Sequence, residues 1–357
     1  APLGELVAPP GSFNNELGHP WTVLQAGPHT RNLVLEKSAR GVGHIAALCR
    51  LAPPRIGVVL NVGTAHLGEF GSREGIAKAK GELVEALPAA AAGGVAVLNA
   101  DDPLVAAMVS RTAARVVSFG VSPRADVRAV DITLDGQARA SFRLVTAAGE
   151  ADVTLAVHGE HHVGNALAAA AVGLERGATV EDVAAALSQA GAASPRRMDV
   201  RTRADGVTIV NDAYNANPDS VRAALKALVS MSRGGGRGTP VRRSWAVLGE
   251  MGELGPDAVR EHDLIGRYAV RLDVSRLVVV GALGSPVEAV HRGAYMEGSW
   301  GEETVFVPDV ASALELLRAE VEPGDVVLVK ASQSEGLWRV AESLLADDTP
   351  ATDEVCS

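Results

Sequence analysis

The sequence has 357 residues, of which 47% are hydrophobic and 3% aromatic, and its formal net charge is −10. This length and hydrophobic content predict two or three folded domains and exclude a disordered chain, while the acidic balance argues against generic nucleic-acid binding. Cys49 and Cys356 give neither a disulfide framework nor a zinc-binding spacing, no apolar run approaches the roughly 20 residues of a membrane span, and no signal peptide is evident, so a soluble, cytoplasmic protein is expected.

The first part of the chain carries a candidate metal ligand. Residues 3–9 predict the end of a helix and a short strand, and residues 31–36 predict a second strand that ends in Glu36. A carboxylate at a strand end suits Mg²⁺, which prefers hard oxygen ligands. Lys37 follows directly, and its ammonium is expected to compete for Glu36 or to weaken metal binding. Residues 43–51 predict a helix, which a pair of prolines ends.

A strand, a loop histidine and a helical lysine come next. The apolar run over residues 56–60 predicts a buried strand, and His66 stands in the loop after its carboxyl end. Ligands bind at that end of the strands in open α/β sheets. Ser72 is the expected N-cap of the following helix, which carries Lys80. From the residues alone, a hydrogen-bonded structural histidine and a solvated lysine remain the alternatives to a functional pair.

The middle of the chain predicts a sheet whose character changes along the sequence. Residues 94–102 and 115–120 predict apolar strands, with a helix over 103–111 between them. Turn chemistry explains the polar residues after the first of these strands better than a binding site does: Asn99, Asp101 and Asp102. Residues 126–158 alternate apolar and polar side chains around an Asp-Gly pair, which predicts a hairpin in a small antiparallel sheet beside the parallel one.

Strands and helices alternate through the rest of the chain. Two helices are predicted first, one opened by residues 159–165 and one capped by Thr179. A hinge over 194–200 then leads to a domain with strands at 208–212, 244–248, 276–280, 304–307 and 325–330. Its helices are expected near 218–230, 257–272, 310–320 and 336–345, which predicts a doubly wound, largely parallel sheet. A flexible loop over 234–240 and an unstructured tail beyond Ala346 are expected.

Several motifs together resemble the Mur ligase family. They are GSFNNELGHP, TAHL, FGS, AKAKGE, GEHHVGNALAAAA, SPRRMD, VNDAYNANPDS, LGEMGELG and VKASQS. The resemblance spans nearly the whole chain. It implies an α/β fold: a Mur ligase central domain over 1–196, with a mostly parallel sheet plus a small antiparallel sheet, a Rossmann-like C-terminal domain over 197–346, and a disordered tail over 347–357.

The resemblance also implies site residues. Catalytic and metal-binding roles fall to Glu36, His66 and Lys80, the last as a carbamate formed with CO₂. Nucleotide-binding roles fall to Asn165, Arg197, Asp212, Asn215 and Asn217. Substrate-binding roles fall to Asn14, Asn15, Glu16, Lys330 and Ser332. Domain closure is expected to bring the metal and nucleotide sets together.

The chain departs from the family pattern at several points. No lysine follows a glycine, so the 357 residues lack the phosphate-binding loop G-x-x-G-K followed by Ser or Thr. We therefore expect an N-terminally truncated ligase, without that loop and the UDP-binding domain, that hydrolyses ATP weakly or not at all. Seven further positions differ from the family residue: Lys37, Ser38, His162, Asn211, Glu250, Ala331 and Gln333.

By resemblance, the expected activity is that of an ATP- and Mg²⁺-dependent amide ligase. It would add D-alanyl-D-alanine to UDP-N-acetylmuramoyl-tripeptide through an acyl phosphate, in peptidoglycan precursor synthesis. The expected partners are these small molecules, with no nucleic acid and no membrane span, and a monomer is expected. Two alternatives remain open: a non-catalytic relative that binds a peptide or another partner, and a ligase that joins other amino acids.

Overall fold

A computed structural model describes residues 3–63, 67–192, 194–234, 241–298 and 302–347. The chain divides into two compact units. The first consists of Ala1–Thr133, Ala140–Ala156 and His161–Ala190, and the second of Leu134–Arg139, Val157–Glu160 and Gly191–Ser357. The main division therefore lies at residue 190, six residues before the domain boundary that the motifs imply.

The first unit is built on a six-stranded sheet. Its elements are β1 (Leu6–Val7), α1 (Gly18–Leu24), β2 (Asn32–Leu33), α2 (His44–Leu51), β3 (Ile56–Val59), α3 (Leu67–Phe70), α4 (Arg73–Glu85), β4 (Val95–Asn99), α5 (Pro103–Ala106), β5 (Arg115–Gly120), β6 (Val127–Leu134), β7 (Arg139–Thr146), β8 (Gly149–His158), α6 (His162–Glu175) and α7 (Val180–Gln189). The sheet order is β3-β4-β5-β6-β7-β8, and β1 pairs with β2 in a separate parallel ribbon. The strands from β3 to β6 are parallel.

The alternating segment forms β6, β7 and β8, and the predicted hairpin joins β6 to β7. The side chain of Asp135 accepts the N–H groups of Gln137 and Arg139, both at 2.9 Å, which closes the turn. These strands extend the parallel sheet directly, because β5 and β6 pair over Phe119 and Gly120. The antiparallel part is therefore a continuation of one sheet.

Local capping begins two helices of the first unit at the residues that the sequence predicts. Ser72 accepts the N–H of Gly75 at 3.1 Å at the start of α4, and Thr179 accepts that of Asp182 at the start of α7. The helix expected over 103–111 is α5 followed by a 3₁₀ segment. Apolar side chains of β3, β4, α4, α5 and the 3₁₀ segment form a core on this side of the sheet: Val59, Leu98, Ile76, Val84, Val105 and Met108.

The second unit contains a doubly wound sheet. Its elements are β9 (Asp199–Thr202), β10 (Thr208–Asn211), α8 (Pro218–Arg233), β11 (Ser244–Leu248), α9 (Ala258–Arg271), β12 (Arg276–Val280), α10 (Glu288–Glu297), β13 (Thr304–Val307), α11 (Val310–Glu320), β14 (Val326–Lys330) and α12 (Trp338–Ala346). The order is β13-β12-β11-β14-β10-β9, and all neighbours are parallel except β9 and β10. The sequence pattern missed β9 and α10. The loop expected over 234–240 and the expected tail fall largely outside the described residues.

Alternate strand residues of the second unit face two different helix layers. Val210 and Leu248 belong to the core formed with α8, α9 and α10, whereas Ile209 and Val247 belong to the core formed with α11 and α12. β14 enters the sheet between β10 and β11, so the winding direction reverses there. The loops after β10, β11 and β14 consequently meet at a switch point, where open α/β sheets bind ligands.

Candidate functional site

In the first unit, Lys80 lies beside the loop that follows β3. Its Nζ donates a hydrogen bond to the carbonyl oxygen of Asn61 at 2.7 Å. Burial lowers the pKa of Lys80, although the Asp102 carboxylate acts in the opposite direction. Deprotonation of Lys80 to the neutral amine therefore costs less free energy than deprotonation of a solvated lysine. The predicted partner His66 lies outside the described residues.

Polar residues after β4 hold the loop after β3 in place. Asp102 accepts the N–H of Val62 at 2.6 Å and also caps α5 with its other oxygen. Asn99 donates to the carbonyl oxygen of Leu60 at 2.8 Å and accepts from the N–H of Asp101. These contacts are the turn and cap chemistry that the sequence favoured over a binding site.

The expected metal ligand and the expected substrate segment are in contact. Glu36 is exposed, and one of its oxygens accepts the side-chain amide of Asn14 at 2.8 Å. Ser38 donates to the carbonyl oxygen of Asn14 through both its N–H and its hydroxyl, at 2.9 and 3.1 Å. The side chain of Asn15 instead accepts N–H groups at the start of α1, while Glu16 is exposed. Asn14 is thus the member of this segment that meets Glu36.

The expectation that Lys37 competes for Glu36 is wrong, because the Lys37 ammonium contacts other groups. Its Nζ lies 2.6 Å from Nε2 of His19 and 3.3 Å from the carbonyl oxygen of Leu48. Burial lowers the pKa of Lys37, and burial together with the Lys37 charge lowers the pKa of His19 to about 4. Lys37 therefore contacts the buried side chain of His19, whereas Glu36 faces solvent.

At the start of α6, the predicted nucleotide residue Asn165 is exposed. Its side-chain nitrogen lies 3.4 Å from Nδ1 of His162, the residue that departs from the family pattern. The rings of His161 and His162 lie 4.2 Å apart. The substituted histidine therefore touches Asn165 itself.

In the second unit, a buried ion pair lies at the switch point. Lys330, the last residue of β14, is 2% exposed, and its Nζ lies 2.6 Å from Oδ2 of Asp212. The same ammonium donates to the carbonyl oxygen of Asn215 at 2.9 Å, and Oδ1 of Asp212 accepts the N–H of Met198 at 3.0 Å. Lys330, expected to bind substrate, uses its ammonium to hold the loop that carries Asp212 and Asn215.

Arg197 lies next to this loop. Its exposed guanidinium is stacked over the ring of Tyr214, with the guanidinium carbon 4.4 Å from the ring centre. Asn217 has a different task, because its side chain accepts the N–H of Ser220 at 2.9 Å and forms a capping box at the start of α8. The structure therefore groups Arg197 with Asp212, Asn215 and Lys330, and makes Asn217 a helix cap.

The loops after β11 and β14 are joined by hydrogen bonds. The hydroxyl of Ser332 accepts the N–H of Gly252 at 2.8 Å. Buried His262 accepts the N–H of Met251 at Nε2, 2.9 Å away, and donates from Nδ1 to the carbonyl oxygen of Ala258 at 2.7 Å. Both ring nitrogens are used by the neutral form, and burial lowers the pKa of His262.

Three residues at this edge received no role from the sequence: Tyr214, Glu250 and His262. Burial, together with the nearby carboxylate of Glu335, raises the pKa of Glu250. Tyr214 and Glu250 lie inside matched motifs, so their positions were visible, but their contacts depend on loops that are distant in sequence.

Two broader features bear on the expected partners. Within the described ranges, no helix is long and apolar enough to cross a membrane. Among the same residues, no three His, Cys, Asp or Glu side chains form a group suited to a metal ion. Of the expected metal set, only Glu36 is a residue of these types within the described part of the chain.

Comparison with known proteins gives two domain matches. Residues 3–173 match the Mur ligase middle domain, and residues 196–333 match the family described as Mur ligase, glutamate ligase domain. The UDP-N-acetylmuramoyl-tripeptide--D-alanyl-D-alanine ligase of Mycobacterium leprae is 60% identical over 361 residues, covering 97% of this chain and 69% of that protein. The Escherichia coli protein of the same name is 32% identical over 349 residues, covering 97% and 72%.

Solved structures give the same similarity. A crystal structure of MurF from Acinetobacter baumannii matches with a TM-score of 0.84 and 30% identity, covering 97% of this chain and 71% of that one. MurF from Thermotoga maritima in complex with ADP matches with a TM-score of 0.81 and 28% identity, covering 97% and 74%.

Proposed function

This chain belongs to the Mur ligase family of ATP-dependent ligases, and we propose that it joins D-alanyl-D-alanine to UDP-N-acetylmuramoyl-tripeptide in peptidoglycan precursor synthesis. The observation that carries the proposal is the 60% identity, over 97% of the chain, to a ligase named for this reaction. The grouping of Arg197 with Asp212 at the switch point supports it, because that edge is where this fold binds ligands.

The proposed reaction forms an amide in two steps. A carboxylate oxygen of the tripeptide attacks the γ-phosphorus of ATP, which gives an acyl phosphate and ADP. The amine of D-alanyl-D-alanine then attacks the acyl carbon, phosphate leaves with the bonding electron pair, and the amine loses a proton. Positioning and charge stabilisation account for most of the catalysis in phosphoryl transfer.

The residues of the second unit fit a nucleotide. The Arg197 guanidinium is exposed, and its planar fork can bind phosphate oxygens through two parallel hydrogen bonds. The buried Lys330 ammonium balances Asp212, which reduces the repulsion that a lone carboxylate would exert on phosphate. We assign Arg197, Asp212 and Asn215 to the nucleotide, and Lys330 to positioning Asp212. Asn165 is a further nucleotide contact by family resemblance.

The residues of the first unit fit Mg²⁺ if Lys80 becomes an anion. A bound Mg²⁺ would neutralise phosphate charge during transfer. Burial lowers the pKa of Lys80, so its neutral amine forms more readily than that of a solvated lysine. The neutral nitrogen would attack CO₂ and release a proton, and the resulting carbamate would offer hard oxygen ligands. Exposed Glu36 would be a second ligand and His66 a third. Asn14, which binds Glu36, would then contact the substrate close to the metal.

A ligation assay with a panel of amines tests the proposal. UDP-N-acetylmuramoyl-tripeptide, ATP and Mg²⁺ are supplied with D-alanyl-D-alanine, D-alanine or L-alanyl-L-alanine, and the products are identified by mass spectrometry. Because the 357 residues lack the phosphate-binding loop, we expect the amide with D-alanyl-D-alanine to form slowly, and we expect Arg197→Ala to lower its rate of formation by about a further 100-fold. Arg201→Ala is the matched control, since Arg201 is exposed and pairs with Asp199. Preferred use of another amine would overturn the proposed substrate.

We further propose that the protein works as a cytoplasmic monomer, since its proposed substrates are small molecules. Sedimentation velocity at working concentration tests the oligomeric state. A dimer that persists on dilution would contradict it.

A further inference from the structure

We propose that Arg196, Trp338 and Glu342 form a latch that positions the neighbouring Arg197. The guanidinium carbon of Arg196 lies 3.7 Å from the centre of the Trp338 ring. The same guanidinium donates to Oε1 of Glu342 from Nη2 and Nε, at 3.0 and 3.2 Å. The latch thus joins the residue before Arg197 to the first turns of α12. This inference rests on the proposed nucleotide role of Arg197.

The backbone on both sides of Arg197 adopts a conformation that L-residues rarely use. The φ angle is 60° at Arg196 and 47° at Met198, both in the left-handed region. Such residues cost free energy and persist where their surroundings fix them, most often at binding sites. Two strained residues around one exposed arginine therefore call for specific anchors on each side.

The anchor after Arg197 is supplied by the core and by Asp212. The Met198 side chain is 5% exposed and packs in the core with α8, and its N–H donates to Oδ1 of Asp212. The anchor before Arg197 is the latch, together with the hydrogen bond from the N–H of Tyr214 to the carbonyl oxygen of Arg196 at 3.1 Å. Arg197 leaves the chain between these two anchors.

The latch is well placed to set the direction of the Arg197 side chain. The backbone of Tyr214 binds the latch residue Arg196, while the ring of Tyr214 supports the Arg197 guanidinium. If the latch opens, Arg196 can leave the left-handed region and rotate the peptide that carries Arg197. A phosphate-binding guanidinium would then be misplaced, and a displacement of about 1 Å can reduce catalysis about 100-fold.

The stacking contact can be weakened without touching Arg197. Trp338→Leu removes the aromatic face, whereas Trp338→Phe keeps a smaller one. Arg339→Leu is the matched control, because Arg339 also lies over the Trp338 ring, but with its guanidinium carbon farther away, at 5.4 Å from the ring centre. Glu342→Gln weakens the other contact of Arg196 and serves as a second route if Trp338→Leu does not fold.

A double-mutant cycle with Arg197→Ala distinguishes positioning from a purely structural role. Calorimetry measures the Kd of a non-hydrolysable ATP analogue with Mg²⁺. We expect Trp338→Leu to raise Kd about 5- to 20-fold, a smaller factor than the roughly 100-fold loss of rate that a 1 Å misplacement can cause. Trp338→Phe should restore most of the affinity, Glu342→Gln should shift it in the same direction as Trp338→Leu, and Arg339→Leu should leave it unchanged. In the Arg197→Ala background, Trp338→Leu should have no further effect.

Two results would overturn the latch, and a third would fall on the proposed function instead. If folded Trp338→Leu binds the ATP analogue as tightly as the unsubstituted protein while Arg197→Ala binds it more weakly, then Arg197 needs no latch. An equal loss from Trp338→Leu with and without Arg197 would show that Trp338 acts independently of it. If Arg197→Ala itself leaves Kd unchanged, the nucleotide role assigned to Arg197 is wrong, and the latch loses its stated purpose.

Discussion

Replacing Lys330 by methionine is expected to destabilise the second unit strongly. The substitution keeps the length and the apolar stem but removes an ammonium that is 2% exposed and 2.6 Å from Asp212. Breaking a buried ion pair by deleting one partner costs about 3–5 kcal/mol, because the other charge is left uncompensated. Asp212 is 13% exposed and keeps the N–H of Met198, so we expect a loss at the lower end, about 3 kcal/mol.

The opposite deletion gives an independent estimate of the same pair. Asp212→Asn leaves the Lys330 ammonium buried with the carbonyl oxygen of Asn215 as its remaining strong acceptor, so we expect a loss of about 3–5 kcal/mol. The double variant leaves no buried charge at this position, and we expect it to lose less than the sum of the single variants. The difference is the coupling energy of the pair.

Urea unfolding followed by tryptophan fluorescence measures these losses. Of the tryptophans that the structure describes, Trp245 and Trp338 belong to the second unit and Trp21 to the first, so the signal reports mainly on the second unit. Lys226→Met is the matched control, because Lys226 is exposed on α8 and its replacement should change the free energy of unfolding by less than about 0.5 kcal/mol. If Lys330→Met lost no more than Lys226→Met, the loop carrying Asp212 would not depend on this ion pair, and the positioning role of Lys330 would be abandoned.

Three further predictions concern the stability of the fold. The pKa of His19 is about 4 in the folded protein against an ordinary 6.5, so the unfolded state takes up a proton first as the pH falls. The free energy of unfolding should therefore fall by about 2 kcal/mol from pH 7 to pH 5. A His19→Asn variant that still showed this slope in pH-dependent urea unfolding would contradict the assignment. Gly266→Ala should lower the free energy of unfolding by at least about 2 kcal/mol, because the added Cβ would lie 1.9 Å from the carbonyl oxygen of Val290. Gly164→Ala, with open space around it in α6, should instead raise that free energy by up to about 1 kcal/mol. Similar thermal midpoints for the two variants would refute the close helix contact. Ser72→Ala should remove about 1 kcal/mol by deleting the N-cap of α4, and an unchanged urea midpoint would show that the cap contributes nothing.

The sequence by itself determined the elements whose signals are local. Ser72 and Thr179 cap their helices as predicted, because an N-cap needs only a side-chain oxygen and an N–H three residues later. The Asp-Gly pair between β6 and β7 closes a hairpin for the same kind of reason. Apolar runs likewise predicted β11, β12 and β13 at the bounds that the structure gives them. The edge strand β9 was missed because its short, polar sequence becomes a strand only through pairing with β10.

Tertiary structure alone decided where the long charged side chains go. Lys37 and Glu36 are neighbours in sequence, yet packing buries the ammonium of Lys37 against His19 while Glu36 stays exposed. Lys330 and Asp212 are 118 residues apart and form a buried pair only because β14 inserts beside β10. A motif specifies which residues are present, but the partner of a flexible cation depends on which distant segments the fold brings within a few ångströms of it.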